Sequence, residues 1–158
     1  MAAQPSIPLR TGVQIVAVLE CVAALGTDLA SLSPDARAIP LPLDDAVEVG
    51  RQRQIGFFEQ LLQAESSWLA FISRAHCRVQ LSRSMPSPQQ DGASGAQLWL
   101  RVENLSSNPV FVCGRAVQKG WADSLPEGGA LSFRAKGRDD KETTFVELKL
   151  RRARGQFR

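Results

Sequence analysis

The chain contains no tyrosine, and its only histidine is His76. The missing tyrosines argue against a stacking platform of the kind that single-stranded nucleic acids need, in which aromatic rings alternate with cations. Charge argues the same way: the formal net charge is only +3, and much of it lies in the C-terminal run "KLRRARGQFR". Cysteine is scarce too. Cys21, Cys77 and Cys113 are odd in number and widely spaced, with no C-x-x-C pair. That usage reads as buried, reduced thiols in a nuclear or cytoplasmic protein rather than a disulfide framework. Three cysteines and a histidine have the formal donor set for zinc, but His76 and Cys77 are neighbours, and on a strand neighbours point to opposite faces. No metal or other cofactor is expected. No long hydrophobic run is present either. "VQIVAVLECVAAL" (13–25) is interrupted by Gln14 and Glu20 and is too short to span a bilayer. It suits a strand apolar on both faces better than the core of a secretion signal.

What remains is a chain of 158 residues with 44 % hydrophobic and 22 % charged residues, enough for one domain with a real core. Residues 1–10 read as a flexible arm, 11–152 as the domain and 153–158 as a basic tail. A strand is expected near 13–23, followed by a turn-rich connection broken at Ser33-Pro34. "PLPLDDAVEVGR" predicts a short extended segment, a turn at Asp44-Asp45, and a strand ending at Gly50-Arg51. "GFFEQLLQAESSW" carries apolar residues at helical spacing, which predicts a short helix over 57–65. Phe57, Phe58 and Leu61 are expected to anchor it on the sandwich edge, the alternative being a secondary binding surface. "HCRVQLS" then alternates, with Cys77, Val79 and Leu81 on one side and Arg78 and Gln80 on the other. "MPSPQQDGASGAQ" reads as a loop, and its Ser87-Pro88 is a candidate phosphorylation site. "LWLRVEN", "VFVCG", "ALSFRAK" and "TTFVELKLRR" complete a set of short strands separated by turn signals. This is the pattern of an all-β sandwich of two antiparallel sheets.

The chemistry-bearing residues fall in three places. Arg51 closes "VGR", Ser73, Arg74 and His76 lie in "SRAH", and Ser107 and Asn108 lie in "ENLSSNPVFVCG". Loops at one end of a sandwich can bring such segments together. Two guanidinium groups, hydroxyls and an amide converging from separate loops suit a phosphoryl group, with its charge of about −1.5 to −2 and three acceptor oxygens. A Ser73–His76 hydrolytic pair is the competing reading. No G-x-S-x-G elbow accompanies it, and no motif places an acidic partner.

In this order, these segments resemble the forkhead-associated (FHA) family of β-sandwich domains, which bind phosphothreonine peptides. The family pattern runs Gly-Arg, then Ser-x-x-His, then Asp/Asn-Leu-Ser-Ser/Thr-Asn-Gly-Thr and an Asn-Gly turn. "LPEGGALSF" is similar to the family's next segment, and the likeness spans roughly residues 12–150. It implies a phosphothreonine-dependent protein-interaction module without catalysis or cofactor, whose partner is a phosphothreonine-containing protein or peptide. By the resemblance, Arg51, Ser73, Arg74 and Ser107 contact the phosphate and Asn108 bonds the peptide main chain. Gly50 and His76 are structural. Two positions depart from the pattern: Pro109-Val110 stands where the family has Gly-Thr, and Cys113-Gly114 where it has Asn-Gly. The alternatives are a diverged domain of this fold that binds protein, or itself, without phosphate, and a binder of nucleic acid or acidic surfaces acting through the basic tail.

Overall fold

β1 (Ile15–Ala24) lies inside a sheet, between β2 (Ala38–Pro42) and the long β10 (Glu142–Arg152). The computed structural model describes residues 14–84 and 97–153. The expected arm, the Ser87-Pro88 segment and all but the first residue of the basic tail lie outside the described residues.

The remaining strands are β3 (Ala46–Val49), β4 (Cys77–Ser84), β5 (Gln97–Asn104), β6 (Val110–Val112), β7 (Arg115–Val117), β8 (Ala122–Pro126) and β9 (Ala130–Lys136). They form two antiparallel sheets, one ordered β2-β1-β10-β9-β6-β7 and the other β3-β4-β5-β8. The two sheets face each other across one core. Leu19, Phe133, Leu148 and Leu150 come from the first sheet, and Val79, Leu81, Leu100 and Val102 from the second. Alternation positions them: on β4, Cys77, Val79 and Leu81 are buried while Arg78 and Gln80 are exposed, as expected. The fold is therefore the all-β sandwich that the strand pattern predicts.

The segment between β3 and β4 departs from the expected 57–65 helix. The α-helix, α1, covers only Phe57–Leu61, and a 3₁₀ stretch, Gln63–Phe71, follows it, broken by Glu65 at φ −141° and ψ 64°. A helix this short has little stability of its own, so packing decides its form. Phe57, Phe58 and Leu61 are buried as anticipated. Phe58 meets Phe133 edge-on at 5.5 Å, and past the break Trp68 stacks on Phe145 at 5.1 Å. Full burial of a ring such as Phe58 contributes about 1.5–3 kcal/mol, which is ample to override local helical preference. Among the described residues, no helix is long and apolar enough to cross a membrane.

Three further points differ from expectation or refine it. The polar connection after β1 contains two short 3₁₀ turns, Leu29–Ser31 and Pro34–Arg37, capped by the side chains of Asp28 and Ser33. β7 and β8 carry no clear alternating signal and are formed by their neighbours' free edges. Cys21 and Cys77 are buried, but Cys113 is exposed, which corrects the reading of all three thiols as buried. Cys113 and Gly114 are the two central residues of the β6–β7 hairpin, with φ of 49° and 84°. A turn with positive φ at both positions faces solvent, so the cysteine sits there on the outside.

Candidate functional site

Val49 pairs with Cys77, and Cys77 with Asn104, so the ends of β3, β4 and β5 lie in one row across the four-stranded sheet. The chain just beyond that row holds every residue that the resemblance assigns to the phosphopeptide site or its support: Gly50 and Arg51 after β3, Ser73–His76 before β4, and Leu105–Pro109 after β5. Main-chain bonds tie the three segments together. Arg51 donates to the Ser73 carbonyl and Gln52 to the Arg74 carbonyl, both at 3.1 Å; His76 donates to Val49 at 2.7 Å, and Leu105 to His76 at 2.9 Å.

Gly50 makes this closeness possible. A Cβ there would sit 2.3 Å from the Arg74 carbonyl oxygen and 2.8 Å from that of Ser73. Both are backbone atoms and cannot swing aside. The glycine is required for its lack of a side chain, not for an unusual φ.

The carbonyls of Phe71, Ile72 and Ser73 organise the neighbouring loops. Phe71 accepts from Asn108 Nδ2 at 3.2 Å, Ile72 from Arg51 Nε at 2.6 Å, and Ser73 from the Arg51 main chain. With Nε so held, the half-buried Arg51 guanidinium is fixed while its terminal nitrogens make no ion pair among the described residues. Arg74 is exposed and likewise has no ion-pair partner among them. The nearby carboxylate of Glu48 is already engaged by Arg53 at 2.9 Å and Arg78 at 3.3 Å. The row's end therefore has two cations without local neutralisation, which favours an anion.

The 105–109 loop is built around Asn104, a buried residue that sequence reasoning missed. Its Nδ2 donates to the carbonyls of Asn108 at 3.1 Å and Val117 at 2.8 Å, and its Oδ1 accepts from the Ser106 N–H at 3.0 Å. Ser106, also missed, is buried and accepts from the Asn108 N–H at 3.0 Å. Its Oγ lies 2.6 Å from Ser73 Oγ. Ser107 is exposed instead. The "N-L-S" spacing, an amide two residues before a backbone N–H that needs an acceptor, was the available signal.

His76 is fully buried, and its ring meets Phe133 edge-on at 5.0 Å. Nδ1 accepts from the Ser73 N–H at 3.1 Å. The Ser73 hydroxyl is thus bonded to Ser106, not to His76, which is not the geometry of a nucleophile and its base. Burial pushes the His76 pKa down to about 4; the Pro109 and Asn108 backbone opposes this without prevailing. Nε2 has no partner in hydrogen-bond geometry among the described residues. Burial likewise pushes the Cys77 thiol up to about 12, which keeps it an inert core group. Among the described residues, no cluster of three or more His, Cys, Asp or Glu side chains is arranged to hold a metal ion.

No protein-family model matches the sequence, and neither does any curated protein. Solved structures do. The chain is similar to full-length yeast Pml1p at 16 % identity, over 92 % of this chain and 87 % of that one, with a TM-score of 0.51. It is similar to the FHA2 domain of Rad53 complexed with a phosphotyrosyl peptide derived from Rad9, at 8 % identity over 92 % and 80 % of the two chains, with a TM-score of 0.52. An engineered FHA domain with a Myc-pTBD peptide aligns at 15 % identity over 91 % and 95 %, with a TM-score of 0.50. At these identities the likeness is one of fold: the chain folds as a forkhead-associated domain.

Proposed function

We propose that this domain is a phosphothreonine-dependent protein-interaction module, acting by binding and not by catalysis. The observation that carries the reading is Arg51. Its Nε is anchored on the Ile72 carbonyl while its terminal nitrogens make no ion pair among the described residues, on the same loop cluster as the Ser73 hydroxyl. A guanidinium fixed in this way has already lost much of its side-chain freedom, so an incoming phosphoryl group meets a prepared donor pair. Arg74 adds a second, exposed cation and Ser107 an exposed hydroxyl. Asn108 is anchored by one Nδ2 hydrogen on the Phe71 carbonyl, and its amide oxygen is the acceptor for a peptide N–H. Two of the similar solved structures contain peptides bound to forkhead-associated domains, one of them phosphotyrosyl, which supports a phosphopeptide as the ligand class.

The second reading, binding without phosphate, is favoured by Pro109. Proline confines Asn108 to extended backbone where the family's glycine would not. One titration separates the two readings. Matched threonine, phosphothreonine and phosphotyrosine peptides are measured against the parent domain and Arg51→Ala. The phosphothreonine peptide should bind the parent, and Arg51→Ala should cost about 2–5 kcal/mol of that affinity without unfolding the domain. Equal affinity for threonine and phosphothreonine would sink the proposal and leave the phosphate-independent reading.

A further inference from the structure

We infer that Trp121 is a specificity-determining contact, packing against an apolar side chain of the bound phosphopeptide; this rests on the phosphopeptide reading above. Trp121 is 72 % exposed and, with Ile55, makes up the exposed large hydrophobics among the described residues. Isolated exposed apolar residues are ordinary, but this one is held with unusual care. Its N–H donates to the Gln118 carbonyl at 2.9 Å, its carbonyl accepts from Asn104 at 2.9 Å, and the Gly120 N–H donates to the Asn104 carbonyl at 2.8 Å. Gly120 has φ +85°. Gly120 and Trp121 therefore both oppose Asn104 in a glycine-led bulge, a device that re-aims a side chain at the end of a ladder. The ring makes no contact with another aromatic ring among the described residues. The fold fixes the backbone of this tryptophan and leaves its ring in water.

Its position relates it to the anion site. Asn104 is the residue whose side chain holds Ser106 and Asn108 in place, so Trp121 and the recognition loop hang on one anchor. Val49, Cys77, Asn104 and Trp121 follow one another across β3, β4, β5 and the residue just before β8. At about 4.8 Å per strand, the end of β3 and Trp121 are roughly 14 Å apart, which an extended peptide covers in about four residues. A peptide whose phosphate lies at Arg51 and Ser73, and which crosses the strand ends, brings a side chain onto Trp121 within that count. The indole offers a large, rigid apolar surface with little conformational freedom to lose, so the side chain it selects is aliphatic or aromatic.

The test uses a phosphothreonine peptide library randomised at the flanking positions, then a matched pair: the selected peptide and its alanine-flanked counterpart. The parent should select an apolar residue at one fixed position. Trp121→Ala, confirmed as folded by its melting temperature, should lose roughly tenfold or more in affinity for the selected peptide and keep its affinity for the alanine-flanked one. Trp121→Phe should retain part of the selection. The selected peptide should also change the intrinsic fluorescence of the parent, a change that Trp121→Phe removes. Apolar selection that is absent, or that survives in Trp121→Ala while phosphothreonine binding persists, overturns this inference and leaves the proposed function standing. A dimer dissolved by Trp121→Ala with peptide selection unchanged overturns it as well. Loss of phosphothreonine binding in the parent removes both.

Discussion

Ser73 and Ser106 meet hydroxyl to hydroxyl at 2.6 Å, joining the loop before β4 to the loop after β5. Ser106 also accepts the Asn108 N–H. If Ser106 donates to Ser73, the Ser73 proton is free to point at an anion, and the chain from Asn108 through both hydroxyls is polarised toward the ligand. Ser106→Ala should therefore lower both stability and phosphopeptide affinity, stability by about 1–3 kcal/mol because the Asn108 N–H loses its acceptor. Denaturant titration and calorimetric binding check the two effects. Unchanged affinity in the folded variant would make the contact a purely structural tie.

Gly50→Ala places a methyl group against the Arg74 and Ser73 carbonyls. The segments must part, which weakens the bonds from Arg51 and Gln52 that join them. Destabilisation of about 3 kcal/mol, at the top of the usual range for overpacking or beyond it, is expected. A variant within about 0.5 kcal/mol of the parent in denaturant unfolding would show that the loops do not depend on this approach.

His76 makes stability depend on pH. The folded state holds it neutral down to about pH 4, while the unfolded chain protonates it near 6.5. Between these values the unfolded state binds more protons, so stability falls as pH falls. The contribution is fully present above about pH 6.5 and is lost on approaching pH 4, on the order of 3 kcal/mol for this shift. His76→Gln keeps an acceptor for the Ser73 N–H but does not titrate. The difference between parent and variant unfolding curves, measured from pH 7.5 to 4, isolates the effect from the carboxylates. Parallel curves would contradict the assignment of His76 as a buried neutral post.

Cys113 occupies a left-handed position, φ 49°, where its side chain is exposed. Asparagine tolerates that region better, and Asn-Gly is the preferred pair for such a turn. Cys113→Asn should stabilise the domain by on the order of 0.5 kcal/mol, and Cys113→Val should destabilise it, because a branched side chain resists positive φ. Melting temperatures of the two variants should move in opposite directions; movement of both downward would show that the thiol makes a contact the turn depends on.

The sandwich was legible in the sequence because its main strands alternate or are apolar throughout, and burial on a pleated sheet demands that pattern. Cys77, Val79 and Leu81 lie inward as their spacing requires. Gly50, Arg51, Ser73, Arg74, Ser107 and Asn108 could be named from their order along the chain, and the fold carries them all to one row of strand ends. Their division of labour could not be read the same way. Ser106 and Ser107 are chemically alike, and only the placement of Asn104 beneath the loop turns Ser106 inward and leaves Ser107 in water. The outward aim of Trp121 likewise follows from a bulge opposite Asn104, a pairing between residues far apart in the chain. Periodicity reports which face of a strand is buried. It carries no record of which distant backbone group a loop side chain will meet, and tertiary packing alone decides that.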